Sequence, residues 1–232
     1  MTMPDPTGSS GHEEQESPVP VRPRRLERIG RLVDERIRGP QVRLQSRYIK
    51  NESSGRADMA DLRAAVAKAP GQNPDIWHLT SVPGTDVAGD EPTPEEWAVH
   101  TAMTLYALHQ QSRTEPMCVS GRGLGRAARD LIGSSDNENL SARARFNALV
   151  TSTALSELRY HLRSLVTQLR SKSITLDYAM LADDLVTFQR PGGAKKVRLR
   201  WSRQYASLPT NQDAPDASTD SSTSPSAPTP EN

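Results

Sequence analysis

LSELRYHLRSLVTQLRS, residues 155–171, places Leu155, Leu158, Leu162, Leu165, Val166 and Leu169 on one face, with polar and basic residues on the other. A stripe of period 3.6 without Pro or Gly reads as an amphipathic helix that must bury one face against other elements. The neighbouring sequence has the same character. Helical spacing runs from Ser141 to about Ser152 and from about Gly123 to Ile132. Downstream, Tyr178, Leu181, Leu185 and Phe188 share one side of a further helix; Thr175 is assigned as its cap, and Pro191-Gly192-Gly193 ends it.

Further out, Thr93-Pro94-Glu95-Glu96 is the clearest helix start, combining a capping threonine, a proline at the first helical position and a glutamate that completes a capping box. That helix is expected to reach about Gln111. Leu26, Ile29, Leu32, Val33 and Ile37 form another stripe, interrupted by Gly39-Pro40. A following segment is expected to run to about Asn51, with Ser53-Ser54-Gly55 as a break. The Ala-rich stretch 57–69 ends at Pro70-Gly71, and 73–92 reads as loop with a short helix around Ile76-Trp77. In KKVRLRWSR, residues 195–203, Val197, Leu199 and Trp201 alternate with cations, which is a strand pattern. No strand partner is evident, so the segment is assigned as the last helix. No repeat with a period of 20–50 residues is present. The expected fold is all-α: a helical bundle fold of two small bundles, about 22–135 and 136–206, with disordered termini.

Of 232 residues, 34% are hydrophobic and 4% aromatic, low enough that part of the chain is expected not to fold. Residues 1–21 and 207–232 are rich in Pro, Ser and Thr or Glu and bury too little apolar surface to offset the entropy of ordering. Each tail carries four acids and no Lys or Arg. All 29 basic residues therefore lie in 22–206 against 20 of the 28 acids, giving that core a net +9. Such a core suits a polyanionic partner. The first residues show no basic segment followed by an apolar run, and no stretch approaches the roughly 20 apolar residues of a membrane span, so a cytoplasmic protein is expected.

Three stretches concentrate the cations. Gly121-Arg122-Gly123-Leu124-Gly125-Arg126 lacks the preceding strand and the spacing of a nucleotide-binding loop. It is read as a loosened helix start, with Arg122, Arg126 and Arg129 on one face. Between Arg143 and Arg170 the only acid is Glu157, and Arg143, Arg159, Arg163 and Arg170 recur at helical spacing. A solvated face would interleave more glutamate, whereas guanidinium forks suit phosphates. Lys195, Lys196, Arg198, Arg200 and Arg203 form the densest run.

Signals for catalysis are poor. His100, His109 and His161 have no metal-ligand spacing, and Cys118 is the only cysteine and has no evident activating neighbour. Asp177, Asp183 and Asp184 are better explained by a helix start and salt bridges than by a metal site. No cofactor, metal or catalytic residue is expected.

Leu140 to Tyr205 resembles the CasB family, the small subunit of type I-E Cascade. The resemblance rests on Arg143-x-Arg145-Phe146-Asn147-x-Leu149, then Glu157-Leu158-x-x-His161-Leu162-Arg163-x-Leu165-Val166, then Ile174-x-Leu176-Asp177-Tyr178-x-x-Leu181-x-x-Asp184-Leu185. Leu124-Gly125-Arg126-Ala127 and Leu62-Arg63 extend it to about 57–205. It departs at Ala64, where a second basic residue is expected, and in the acidic tails. The resemblance implies a non-catalytic subunit that binds nucleic-acid backbone without sequence preference and steadies the guide–target hybrid and displaced strand. It implies as partners the backbone and large Cascade subunits, a second copy of the chain, guide RNA and target DNA. By position it assigns Arg63, Arg126, Arg143, Arg163, Lys195 and Lys196 to nucleic acid; the cation pattern adds Arg122, Arg170, Arg198 and Arg200. The alternative is a free-standing helical DNA-binding regulator, with 123–152 as a helix-turn-helix.

Overall fold

The computed structural model describes residues 25–85 and 89–207. Apart from Ser207, the tails expected at 1–21 and 207–232 lie outside the described residues. Among those residues the chain forms α1 (Arg28–Ile37), α2 (Leu44–Ile49), α3 (Ser53–Ala64), α4 (Trp77–Thr80), α5 (Pro94–Gln110), α6 (Leu124–Ile132), α7 (Leu140–Thr151), α8 (Leu155–Ser171), α9 (Tyr178–Gln189) and α10 (Gly193–Ala206). Short 3-10 turns occupy Pro74–Ile76 and Ser135–Asn137, and the one β feature among the described residues is an isolated bridge between Cys118 and Leu176. The all-α expectation holds.

α5 and α9 lie against each other at the centre. Small residues, Ala98, Ala102 and Ala107 on α5 and Ala179 and Ala182 on α9, are fully buried and allow close approach. α1 packs on α9; α3 and α8 pack on α5; α10 bridges α9 and α6; α7 crosses α8 and α6. One buried cluster runs from Ile29 to Trp201 through all of them. The 155–171 stripe is core: Leu158, Leu162, Leu165, Val166 and Leu169 are wholly buried. Leu162→Ala is therefore expected to lower unfolding free energy by about 2–5 kcal/mol in denaturant titration. A change within about 0.5 kcal/mol, the range of surface sites, would contradict that burial.

The Thr93 capping box forms: the Glu96 amide donates to Thr93 Oγ1 (3.2 Å) and the Thr93 amide to Glu96 Oε2 (2.7 Å). The cap of α9, in contrast, is Asp177 and not Thr175. Its carboxylate accepts from the Ala179 and Met180 amides, each at 3.0 Å, and from Gly121 at 2.7 Å. Asp183 reaches across to α1, which has no side-chain cap of its own, and accepts from the Glu27 (2.8 Å) and Gly30 (2.6 Å) amides. Asp184 accepts from Trp201 Nε1 (2.7 Å) and pairs with Arg200. These three carboxylates are buried and hold helices together.

Two glycine readings change. Ser53-Ser54-Gly55 opens α3, and the break falls just before it, at Asn51, whose φ is 61°. Gly55 is needed because a Cβ there would lie 2.7 Å from the Arg47 carbonyl carbon. Gly125 lets α6 approach α10: a Cβ would collide with the Trp201 carbonyl oxygen. The glycine-rich stretch is thus a packing device as well as a helix start. The link from α6 to α7, residues 133–139, is longer than the 3–4-residue turn of a helix-turn-helix.

Candidate nucleic-acid interface

The ten assigned cations divide by what they touch. Arg122, Arg170, Arg198 and Arg200 are engaged within the fold, and so are Arg126 and Arg143. Arg122 precedes α6 instead of sharing its face, and pairs with Asp130, as does Arg129. Arg170 donates to Gln111 Oε1 (2.7 Å) and the Leu108 carbonyl (3.4 Å), tying α8 to the end of α5. Arg198 donates to the Ser152 carbonyl (2.6 Å) at the end of α7, where orphan carbonyls need donors. Arg200 pairs with Asp184. Arg159, on the same helix as Arg163, is likewise used: its guanidinium lies 4.5 Å over the Trp97 ring and donates to the Lys68 carbonyl (3.1 Å).

Arg63 and Arg126 are half-buried on α3 and α6. Arg143 stands at the rim of α7, one turn before buried Phe146, and pairs with Glu138. Arg163, Lys195 and Lys196 are exposed, and no described carboxylate pairs with them. The two lysines occupy the first turn of α10, which contains no acid. Cations at the positive end of a helix dipole oppose helix stability, so the fold does not account for them.

Two grooves organise the arginines. One, about 380 Å³, lies between α7 and α10 with Phe146, Val150, Leu199 and Tyr205 in its walls and Arg143 and Arg198 at its edge. Phe146 and Tyr205 stack there at 5.7 Å. The second, about 340 Å³, lies between α7 and α8 and brings Arg145 beside Arg163. Arg145 and Tyr160, which also lines it, were not assigned from sequence. Tyr160 lies off the leucine stripe and Arg145 within the motif of the resemblance, but nothing local tells which α7 arginine faces α8.

Chemistry elsewhere is muted. Burial pushes the Cys118 thiol up to about 12, far from a reactive thiolate. Among the described residues no group of His, Cys, Asp and Glu could hold a metal ion. No helix among them is long and apolar enough to cross a membrane.

Residues 58–205 match the family model of the CRISPR-associated protein Cse2. No curated protein matches. Among solved structures, the chain is similar to CasB from Thermobifida fusca, at 33% identity over 79% of this chain and 100% of that one, with a TM-score of 0.63. A Cse2-family CRISPR-associated protein from Thermus thermophilus is 24% identical over 78% and 98%, TM-score 0.56. A chain of a CRISPR RNA-guided surveillance complex, 20% identical over 76% and 95% with a TM-score of 0.57, shares the fold. On the extent of the family match and the likeness to CasB, the chain belongs to the Cse2 (CasB) family of CRISPR-associated proteins.

Proposed function

We propose that the chain is a non-catalytic subunit of a cytoplasmic CRISPR surveillance complex and holds nucleic-acid backbones without sequence preference. It steadies the guide–target hybrid and the displaced strand, alongside the backbone and large subunits and a second copy of itself. The observation that carries this reading is the pair Lys195 and Lys196: exposed, unpaired with any described carboxylate, and at the helix end where cations cost stability. Arg163, exposed on α8, adds to them, with Arg143 at the edge of the α7–α10 groove. Contacts to phosphate fix position without reading bases. Exchange of one duplex for another is nearly balanced, so a few such contacts can tip it, while base pairing with the guide supplies the sequence choice.

The test is the salt dependence of single-strand binding by the full chain. Arg163→Ala with Lys195→Ala and Lys196→Ala is expected to flatten the slope of log K against log salt by about 0.7 per lost contact, roughly 2 in all. The loss is expected to be equal for strands of any sequence. An unchanged slope would make these residues a solvated face; a loss confined to certain sequences would mean that they read bases.

A further inference from the structure

The α8 surface holds a feature that a phosphate track does not use. Tyr160 is 72% exposed and sits between Leu158 and Leu162, both fully buried, so the core has no need of its ring. Its hydroxyl has no hydrogen-bond partner among the described residues, and the one aromatic ring among them that its ring meets is that of His161, edge-on at 5.3 Å. Grooves flank it on both sides. The one toward α7 is lined by Arg145, Ser164 and Gln168; the one toward α5, about 210 Å³, by Thr101, Thr104 and Arg159. Tyr160 and Arg163 belong to both, so they form the ridge between them.

Neither groove has an acidic residue in its walls. Arg145 is held in place by Ser164 Oγ (2.6 Å) and pairs with no described carboxylate. An exposed phenol ring and two guanidinium groups without carboxylates suit a ligand with both a flat π-face and an anion. A phosphate alone has no use for the ring. A duplex hides the faces of its bases. An apolar protein anchor would leave both arginines without a counter-charge.

We infer that the Tyr160 ridge is a stacking site for an unpaired base of a single-stranded nucleic acid, with Arg145 and Arg163 holding the flanking phosphates. The inference rests on the backbone-binding reading above and adds to it a contact with the base. Stacking accepts any base, so sequence independence is retained.

The test uses the full chain with dT12, rU12, a 12-mer of the same charge lacking bases, and a 12-base-pair duplex. Loss of one base–aromatic stack is expected to weaken binding roughly 5- to 150-fold. Wild type should prefer dT12 or rU12 to the abasic strand by that factor, and which of the two it prefers identifies the strand. Tyr160→Ala should bring binding down to the abasic level with the salt slope unchanged, and Tyr160→Phe should keep the preference. Equal binding of dT12 and the abasic strand by wild type, or undiminished binding of dT12 and rU12 by Tyr160→Ala, would overturn the stacking site. The phosphate reading fails separately, on the abasic strand: absence of salt-dependent binding there would overturn it, and this inference with it.

Discussion

Acidification from pH 7 to pH 5 is expected to destabilise the fold by about 2 kcal/mol for each of two histidines, well before the carboxylates titrate. His100 and His109 are buried on α5, and burial, helped by Arg159 near the first and by Arg113 and Arg170 near the second, pushes both down to about 4. The folded protein thus refuses protons that the unfolded chain accepts below about 6.5. Their contribution is complete above pH 6.5, is lost as pH falls toward 4, and levels off below that. The two are not equivalent. His109 Nδ1 shares a hydrogen bond with Tyr178 Oη at 2.9 Å, whereas neither ring nitrogen of His100 has a partner. His100→Leu should therefore raise stability at pH 5 and about halve the loss between pH 7 and 5, read by denaturant titration at each pH. A loss of equal size in the variant would mean that His100 takes up its proton in the folded state.

Asp184→Ala should be the most damaging single change on the α9–α10 seam, at about 3–5 kcal/mol, because it leaves buried polar partners uncompensated. Asp184 is 1% exposed and holds both the Trp201 indole N–H and the Arg200 guanidinium. Trp201 is itself fully buried and packs its helix against α6 and α9. For a domain of this size the corresponding fall in Tm is on the order of 10 °C. Asp184→Asn, which keeps an acceptor for the indole, should cost less. A fall of under about 1 °C for the alanine variant would show that α10 docks without this carboxylate.

The parts of the fold legible in the sequence are those where one local signal decides. The 155–171 stripe and the Thr93 capping box needed no knowledge of the rest of the chain. The KKVRLRWSR segment shows why others were harder. Val197, Leu199 and Trp201 alternate as in a strand, yet only Val197 and Trp201 are buried, four residues apart, and Leu199 is half exposed. The helical period was hidden inside the alternating one. Thr175 and Asp177 are both good caps, and the choice fell to Asp177 because its carboxylate also takes the Gly121 amide from a distant loop. Ser53-Ser54-Gly55 has the composition of a break, but close approach to α2 requires the glycine.

The interface was less legible than the fold, because cation density does not say where a guanidinium goes. Arg198 and Arg200 sit in the densest basic run and are spent on the α7 carbonyls and on Asp184. Lys195 and Lys196, two to five residues earlier, touch no described carboxylate. What separates them is the position of acceptors on α7 and α9, which no local pattern encodes. Tyr160 and Arg145 come from different helices and share a groove only in three dimensions.

The most direct test of the account is the dwell time of target DNA on a complex assembled with guide RNA and carrying Arg163→Ala, Lys195→Ala and Lys196→Ala together. Several matched guide–target pairs would be followed at two or more salt concentrations. The expected result is normal assembly, unchanged choice of target, and faster release by a similar factor for every pair, with a shallower salt dependence than wild type. Release as slow as wild type at every salt concentration would contradict the claim that these side chains hold the nucleic-acid backbone.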